Sequence, residues 1–301
     1  MQRPNTFIVG APKCGTTALA EYLSGHTSVF VSDPKEPHHF VNSEMPLYTK
    51  FQTLESYLEL FQKTESSHSV VVDASVWYLY SKESARKIKE FCPNARIIVM
   101  LRRPDEMIYS RHSQALLNLQ EDIDDFELAW RISLKNCPRA SYSKYCKDPS
   151  TLQYNNIARY SDQISRYLEY FSRECIHFIF YDDFKLSASD VYQNVLDFLS
   201  LDPDNRQEFP IVNANAKLRT KSIERLLKNP PKIVMRFMSQ VKNFLGLKES
   251  GITKLLRTIN EKNAKRLPIS EELRLEIIEY YRPDIMRLQL ITGRDLSHWL
   301  V

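Results

Sequence analysis

The chain is poor in glycine and has no long apolar run. Only 6 of its 301 residues are glycine, about 2%, against a usual ~7%. Collagen-like and glycine-rich linker proteins are therefore excluded, and each glycine is expected to have a specific backbone role. No stretch approaches the ~18–20 apolar residues of a membrane-spanning helix. The N-terminal residues show no apolar region followed by a cleavage site, which argues against a secretory leader.

Cysteine is also scarce, and its spacing is uninformative for metal binding. The five cysteines are Cys14, Cys92, Cys137, Cys146 and Cys175. An odd number without CxxC spacing favours neither a zinc site nor a disulfide framework. A bond between Cys137 and Cys146 is conceivable, but free thiols are the favoured interpretation. This pattern predicts a reducing, cytoplasmic location.

The net charge is too small to indicate a nucleic-acid partner. Lys plus Arg minus Asp plus Glu gives 41 − 37 = +4, which leaves room only for a local basic pocket. Apolar residues make up 43% and charged residues 26% of the chain, close to globular averages, so a sizeable core is expected.

Short apolar runs alternate with helical patterns in the first two thirds of the chain. The predicted strands are 6–9, 70–72, 96–101 and 176–180. The predicted helices are 16–24, 81–91, 104–119, 157–171 and 189–199. This alternation predicts an α/β fold with a central, mainly parallel sheet flanked by helices and right-handed crossovers.

The last third has a different pattern. No strand pattern recurs after Pro210, and the predicted helices are 222–227, 233–245, 252–260 and 270–290, the last interrupted by Pro283. No internal repeat or linker divides the chain. We therefore predict one domain over residues 1–301, with an α/β core at 1–210 and a helical portion at 211–301.

The segment from Gly10 to Thr17 joins a predicted strand to a helix. A helix N-terminus offers free N–H groups and a positive dipole end to a phosphate. Gly10 and Gly15 have the separation of the two Walker A glycines, but Thr16 stands where that loop requires lysine. The only lysine, Lys13, lies inside the turn. A phosphate-type ligand therefore fits better than a magnesium-bound triphosphate; the alternative is an ordinary strand-to-helix turn.

A second candidate segment closes the strand at 96–101. Arg102 follows that strand at its carboxyl end, where ligands bind in open α/β sheets. Pro104 suits the first position of a helix, and Ser110 follows about two turns along it. Arginine and a hydroxyl together suit a phosphate. Alternatively, Arg102 and Arg103 form surface pairs with acids such as Asp105.

A third segment, residues 34–40, combines a carboxylate with two imidazoles. Glu36, His38 and His39 are candidate general bases beside a proline-stiffened backbone. A metal site is the alternative, but no further ligands at suitable spacing join these histidines.

Together these segments resemble the sulfotransferases that use 3′-phosphoadenosine 5′-phosphosulfate (PAPS), especially the bacterial and heparan-sulfate-type branch. The resemblance spans nearly the whole chain and includes residues 73–78 and the ending 290–300. It implies a P-loop-like fold. It assigns the 5′-phosphosulfate loop to Lys13, Cys14, Gly15, Thr16 and Thr17, and the 3′-phosphate to Arg102 and Ser110.

Three positions depart from the family pattern. Met107 replaces a frequent arginine, and Ala74 stands where some heparan-type members carry lysine. A glycine- and lysine-rich late loop is replaced by residues 213–221, so that Lys217 and Arg219 become the candidate cofactor contacts there. The first two departures argue against a heparan-like polymer substrate.

The resemblance implies transfer of a sulfuryl group to a hydroxyl or amine, with release of adenosine 3′,5′-bisphosphate and no metal. Lys13 with Thr16 would stabilise the leaving phosphate oxygen. Glu36 matches the family's catalytic carboxylate, His38 is the alternative base, and Asp73 comes next. A carboxylate is a weak base near neutrality, so this role requires a shifted pKa or late proton transfer.

The acceptor is the least defined part of this prediction. A small metabolite is favoured, with a carbohydrate as the alternative; the oligomeric state is left open. The candidate substrate contacts are His39, Asp73, Ser75, Tyr78, Tyr142 and Tyr145. Two other classes of protein remain: a P-loop-type kinase, which would need a lysine after Gly15, and a catalytically silent nucleotide-binding protein.

Overall fold

The computed structural model describes most of the chain. The described residues are 2–41, 43–49, 51–135, 139–210, 216–218, 220, 224, 261–263 and 267–301. The predicted helices 222–227, 233–245 and 252–260 lie outside them, apart from Glu224, as do Cys137 and Arg219. The described cysteines are free thiols.

Five parallel strands form the central sheet, in the order β2-β3-β1-β4-β5. They are β1 (Thr6–Gly10), β2 (Val29–Val31), β3 (Val70–Ala74), β4 (Arg96–Leu101) and β5 (Ile176–Phe180). β1 and β3 are buried throughout, as continuous apolar runs in parallel sheets usually are. The predicted parallel α/β sheet is confirmed. The three-residue β2 was missed because so short a run has no clear period.

Ten helices accompany the strands in the described part of the chain. They are α1 (Thr16–Ser24), α2 (Leu54–Leu58), α3 (Ser84–Phe91), α4 (Pro104–Leu117), α5 (Phe126–Leu134), α6 (Tyr154–Ile157), α7 (Tyr160–Leu168), α8 (Tyr181–Leu186), α9 (Ala188–Leu199) and α10 (Glu271–Thr292). α1 has the predicted bounds, and α4 begins at Pro104 as its first helical residue. α5 and the shorter α2, α6 and α8 were not predicted from the sequence.

Two predictions about the last third are wrong. Short strands β6 (Ala216–Leu218) and β7 (Glu261–Asn263) pair antiparallel after Pro210. α10 also runs through Pro283 without interruption. Tertiary contacts offset the lost helix hydrogen bond, because the neighbouring Asp284 carboxylate accepts hydrogen bonds from the backbone N–H groups of Tyr160 and Ser161 at 3.0 and 3.1 Å.

The strand order creates a crevice between β1 and β4. The chain leaves β1 toward β2 and β3 on one side of the sheet, whereas it leaves β4 toward β5 on the other. Ligands bind outside the carboxyl ends of strands at such a switch point. The loop after β1 and the Arg102 segment after β4 both begin there.

Candidate active site

Two glycines shape the loop between β1 and α1. A Cβ at Gly10 would lie 2.8 Å from the Leu79 Cβ, and one at Gly15 would lie 3.3 Å from the Met100 Cε. Both glycines have positive φ, +152° and +94°, which strains any side chain. The loop also depends on β4, since Ala11 N donates to Met100 O at 2.7 Å.

The loop presents the N-terminus of α1 to a cavity. Gly15 caps this helix without a side-chain hydrogen bond, so the first N–H groups receive no side-chain cap. Lys13, Thr16 and Thr17 line the cavity. The two threonine hydroxyls make no hydrogen bond within the described residues. This arrangement suits an anion.

Arg102 and Ser110 complete this end of the cavity. The Arg102 guanidinium lies 4.4 Å from the Tyr181 ring centroid, donates to Glu106 Oε2 at 2.8 Å and reaches Lys13 O at 3.4 Å. Ser110 lies two turns along α4, is 2% exposed, and has no hydrogen-bond partner among the described residues. Both residues line the cavity that the α1 loop lines.

The cavity has a volume of about 1020 Å³ and gathers most of the predicted site. The predicted residues lining it are Lys13, Gly15, Thr16, Thr17, Glu36, His38, Arg102 and Ser110. Cys14 is not among them. Its thiol is fully buried beside Pro12 O, and burial raises its pKa to about 12. Only its backbone belongs to the loop.

Glu36 reaches the cavity from a loop whose backbone turns sharply. Glu36 and His38 have φ of +63° and +53°. The Glu36 side chain is 38% exposed, and its Oε1 lies 2.7 Å from Lys35 Nζ. Burial acts to raise the pKa of this carboxyl, but the charges of Lys35, His38 and Lys13 outweigh it and hold the pKa below its ordinary value. Glu36 is therefore ionised at neutral pH.

His38 occupies the cavity wall with a buried ring. The residue is 3% exposed, and its Nε2 has no hydrogen-bond partner among the described residues. Burial lowers its pKa to about 4, although Glu36 opposes this shift. The imidazole is therefore neutral at pH 7.

Asp73 and its neighbours lie behind this wall. The buried Asp73 carboxylate accepts hydrogen bonds from Tyr57 and Tyr78 at 2.8 Å each and from Ser75 Oγ at 2.6 Å. Burial raises its pKa to about 6 despite these donors. Ser75 Oγ also accepts from His38 N at 3.0 Å. The cluster supports the Glu36 loop and does not line the cavity.

Three other predicted substrate contacts also lie away from the cavity. His39 stacks on Tyr57 at 4.5 Å, with its Nδ1 2.8 Å from Phe51 O. Tyr142 OH accepts from Arg139 N, and Tyr145 lies beside Lys144. Among the candidate cofactor contacts, Lys217 lies in β6 and Arg219 is outside the described residues.

Several residues that line the cavity away from the α1 loop were not predicted as site residues. They are Lys35, Tyr48, Phe51, Trp77, Arg111, Gln120 and Lys147. Arg111 carried a detectable signal, because it shares helical spacing with the fully buried Met107, Ile108 and Ala115 and thus interrupts an apolar stripe. The others come from separate loops with no common motif.

Two further observations concern metals and membranes. Within the described ranges, no group of three or more His, Cys, Asp or Glu side chains is placed to hold a metal ion. No helix in the described part is long and apolar enough to cross a bilayer.

Comparison with known proteins shows which family and which fold the chain resembles. A family model described as sulfotransferase domain matches residues 3–229. Human carbohydrate sulfotransferase 15 is 26% identical over 250 residues, covering 66% of this chain and 44% of that protein. Mouse heparan sulfate glucosamine 3-O-sulfotransferase 5 is 25% identical over 211 residues, covering 67% and 55%. The chain thus spans about half the length of these relatives.

One solved structure matches the complete chain. A sulfotransferase from Alicyclobacillus acidocaldarius superposes with a TM-score of 0.71 at 24% identity, covering 99% of both chains. This likeness establishes a shared fold.

Proposed function

The chain belongs to the sulfotransferase family, and from that premise we propose that it transfers a sulfuryl group from PAPS to a hydroxyl or amine of an acceptor. The observation that carries this proposal is that one cavity contains the α1 loop, the Arg102–Ser110 pair and the Glu36 carboxylate. A P-loop-type kinase lacks support, because Thr16 occupies the position of the required lysine.

We assign the donor to the β1–β4 end of the cavity. Lys13, the N–H groups of α1 and the hydroxyls of Thr16 and Thr17 would hold the 5′-phosphosulfate. Arg102 and Ser110 would hold the 3′-phosphate, with Arg102 supplying two-pronged donors. The fit rests on the uncapped helix and on three hydroxyls that have no other partner among the described residues.

PAPS supplies the sulfuryl group and a phosphate leaving group. Lys13 and Thr16 stabilise the negative charge that develops on the leaving oxygen, as preorganised donors do. Glu36 accepts the acceptor's proton. Since its pKa is lowered, a raised pKa does not account for its basicity. Glu36 would therefore accept the proton late in the reaction, once the acceptor oxygen or nitrogen has become acidic.

We propose Glu36 as the base in preference to His38 because their accessibility differs. The Glu36 side chain is 38% exposed, whereas the His38 Nε2 is buried. His38 would then orient the loop through its backbone bond to Ser75. Asp73, enclosed by three donors, would hold the loop in place.

The proposed acceptor is a small metabolite. Tyr48, Phe51 and Trp77 offer aromatic walls at the far end of the cavity, suited to a planar or ring-bearing molecule. A carbohydrate is the second candidate, since two of the relatives carry carbohydrate or heparan sulfate in their names. The single domain, the cytoplasmic location and the cofactor roles of Lys217 and Arg219 stay predictions.

Calorimetry with nucleotides tests the donor assignment. We expect adenosine 3′,5′-bisphosphate to bind more tightly than adenosine 5′-monophosphate or ATP with magnesium, because only the first presents a 3′-phosphate to Arg102. Arg102→Ala should weaken this binding about 10- to 100-fold, as expected for hydrogen bonds to a charged group. Binding of the monophosphate should change little.

The exposed Arg131 on α5 supplies a matched control, and Arg131→Ala should bind the bisphosphate normally. Equal affinity of the wild type for ATP with magnesium would refute the donor assignment. Transfer of label from radiolabelled PAPS to a panel of hydroxyl and amine acceptors tests the reaction itself.

Chelation tests the expected metal independence. Lys13 and the α1 N–H groups would neutralise the donor's charge without a cation, so turnover should be unchanged after dialysis against EDTA. Loss of turnover that zinc or manganese restores would contradict this expectation and would favour a metal site at His38 and His39.

A further inference from the structure

Arg111 is a buried cation at the cavity wall. It lies in α4, is 2% exposed and lines the cavity beside Trp77 and Gln120. Its neighbours on the same helical stripe, Ile108 and Ala115, are fully buried. A guanidinium in such a position loses most of its hydration, so the protein must compensate the charge in another way.

The described residues satisfy only part of this guanidinium and place no carboxylate in direct contact with it. Arg111 Nη2 donates to Gln120 Oε1 and Thr151 Oγ1, both at 3.1 Å, and both oxygens belong to neutral groups. Arg111 Nε has no hydrogen-bond partner among the described residues. No carboxylate in the described ranges lies within 4.0 Å of this guanidinium. A buried guanidinium that has an unused donor and no carboxylate in direct contact can bind an anion that enters from the cavity.

The surroundings of Arg111 add positive charge and a flat apolar surface. Its guanidinium lies 5.3 Å from the Trp77 ring centroid, and Trp77 packs against Tyr48 at 5.7 Å. Lys147 lies over the Tyr48 ring at 5.3 Å and also lines the cavity. Tyr48 in turn contacts His38 at 5.8 Å. Arg111 and Lys147 therefore lie toward the Glu36–His38 end of the cavity.

The donor does not account for this charge. Ser110 and Arg111 are consecutive in α4, so their side chains point about 100° apart around the helix. Arg102 packs on Tyr181, whereas Arg111 packs on Trp77. The two arginines thus serve different parts of the cavity.

We propose that Arg111, assisted by Gln120 and Lys147, binds an anionic group of the acceptor, a carboxylate or a sulfate. The proposal rests on the proposed sulfotransferase function and narrows its substrate class to acidic acceptors. Trp77 and Tyr48 hold the ring or chain that bears this group. Arg111 is then a specificity-determining residue that places the reacting hydroxyl or amine near Glu36.

Matched acceptors test this proposal while adenosine 3′,5′-bisphosphate saturates the donor end. Calorimetry compares 4-hydroxybenzoate and 4-hydroxybenzenesulfonate with the uncharged methyl 4-hydroxybenzoate, and methyl glucuronide with methyl glucoside. At least one anionic probe should bind about 10- to 100-fold more tightly than its neutral counterpart. The affinities for the carboxylate and the sulfonate probes, compared with each other, show which anion the site prefers.

Substitution of Arg111 links the preference to this residue. Arg111→Met keeps the side chain's length and should remove the preference for anions, while the affinity for adenosine 3′,5′-bisphosphate and for the methyl ester stays within about twofold. Arg111→Lys should retain part of the preference. Arg111→Met removes a buried charge that has no carboxylate in contact. The unfolding temperature of Arg111→Met should therefore equal or exceed that of the wild type.

Arg166 provides the matched control, since its guanidinium donates to the backbone oxygens of Leu79 and Tyr80 outside this cavity. Arg166→Met should keep the anion preference. Equal binding of acids and neutral analogues by the wild type, or no binding of any anionic probe, would overturn the proposal. So would an Arg111→Met variant with a lowered unfolding temperature and uniformly weaker binding.

A failure of the donor assignment has a different signature. The wild type would then bind no adenosine 3′,5′-bisphosphate and transfer no label from PAPS, whereas titration with the acid and ester pairs alone would still report on Arg111.

Discussion

The two ends of the cavity are built in different ways. The donor end comes from two short segments, Pro12–Thr17 and Arg102–Ser110, which follow the neighbouring strands β1 and β4. The acceptor end comes from the loop at 34–38, the region around Tyr48, Trp77 after β3, Arg111 in α4 and Lys147. Only the donor end is therefore continuous enough to form a recognisable motif.

This difference follows from what each end is proposed to bind. A phosphate is held by backbone N–H groups, glycine geometry and a helix terminus, all of which depend on local chain conformation. An acceptor is held by side chains whose placement depends on packing. The buried Asp73 cluster illustrates the second case, because it contributes to the cavity only by holding the His38 backbone through Ser75.

Removing the proposed base should lower turnover, which depends on the acceptor end, and should leave nucleotide binding at the donor end unchanged. We expect Glu36→Gln to lower kcat by about 10² to 10⁴, the range for a general base, because glutamine accepts no proton. Its affinity for adenosine 3′,5′-bisphosphate should remain close to that of the wild type. Steady-state kinetics and calorimetry measure the two quantities separately.

The exposed Glu65 supplies the control, and Glu65→Gln should have normal turnover. Near-normal turnover of Glu36→Gln combined with an inactive His38→Asn would transfer the role to His38. Normal turnover of both variants would place the base elsewhere.

Removing the loop lysine should affect the donor end with a somewhat smaller loss. Lys13→Met should lower kcat by about 10² to 10³, the usual loss for one preorganised donor to a developing charge, with KM for a good acceptor little changed. Lys89→Met, on α3, is the corresponding control. A Lys13→Met variant that loses only affinity for PAPS and keeps kcat would contradict a role in the transition state.

The smallest expected effect on turnover is that of replacing His38, and it tests whether this histidine is structural or catalytic. His38 is protonated near pH 4 in the folded chain, whereas an unfolded chain binds that proton below about pH 6.5. Protonation thus favours unfolding, and stability falls as the pH drops from 6.5 through 4. In His38→Asn, the loss in the free energy of unfolding at pH 4.5 should be smaller by about 2 kcal/mol, which urea unfolding measures. Turnover should change less than tenfold, which steady-state kinetics measures.

His177 in β5 allows a matched comparison, since burial also lowers its pKa to about 4. His177→Phe should remove a similar part of the acid sensitivity without any change in turnover. An unaltered pH dependence of stability in both variants would contradict the assigned pKa directions.

Sequence patterns predicted the elements that carry the donor end. The apolar runs of β1 and β4, the break at Gly25 and Pro104 at the start of α4 are all local signals. The same reasoning failed where tertiary contacts prevail. Pro283 was expected to interrupt a helix that instead continues. Asp73, Ser75 and His39 do not line the cavity, and their contact with substrate stays a prediction.

The sequence by itself determined the parallel α/β fold, the loop between β1 and α1 and the spacing of Arg102 and Ser110, because each depends on residues near one another in the chain. Tertiary structure alone decided that Glu36 is accessible while the His38 Nε2 is buried, and that no carboxylate in the described part of the chain lies within 4.0 Å of the Arg111 guanidinium. These properties arise from the burial of a group and the charges around it, which segments distant in sequence supply when they pack together.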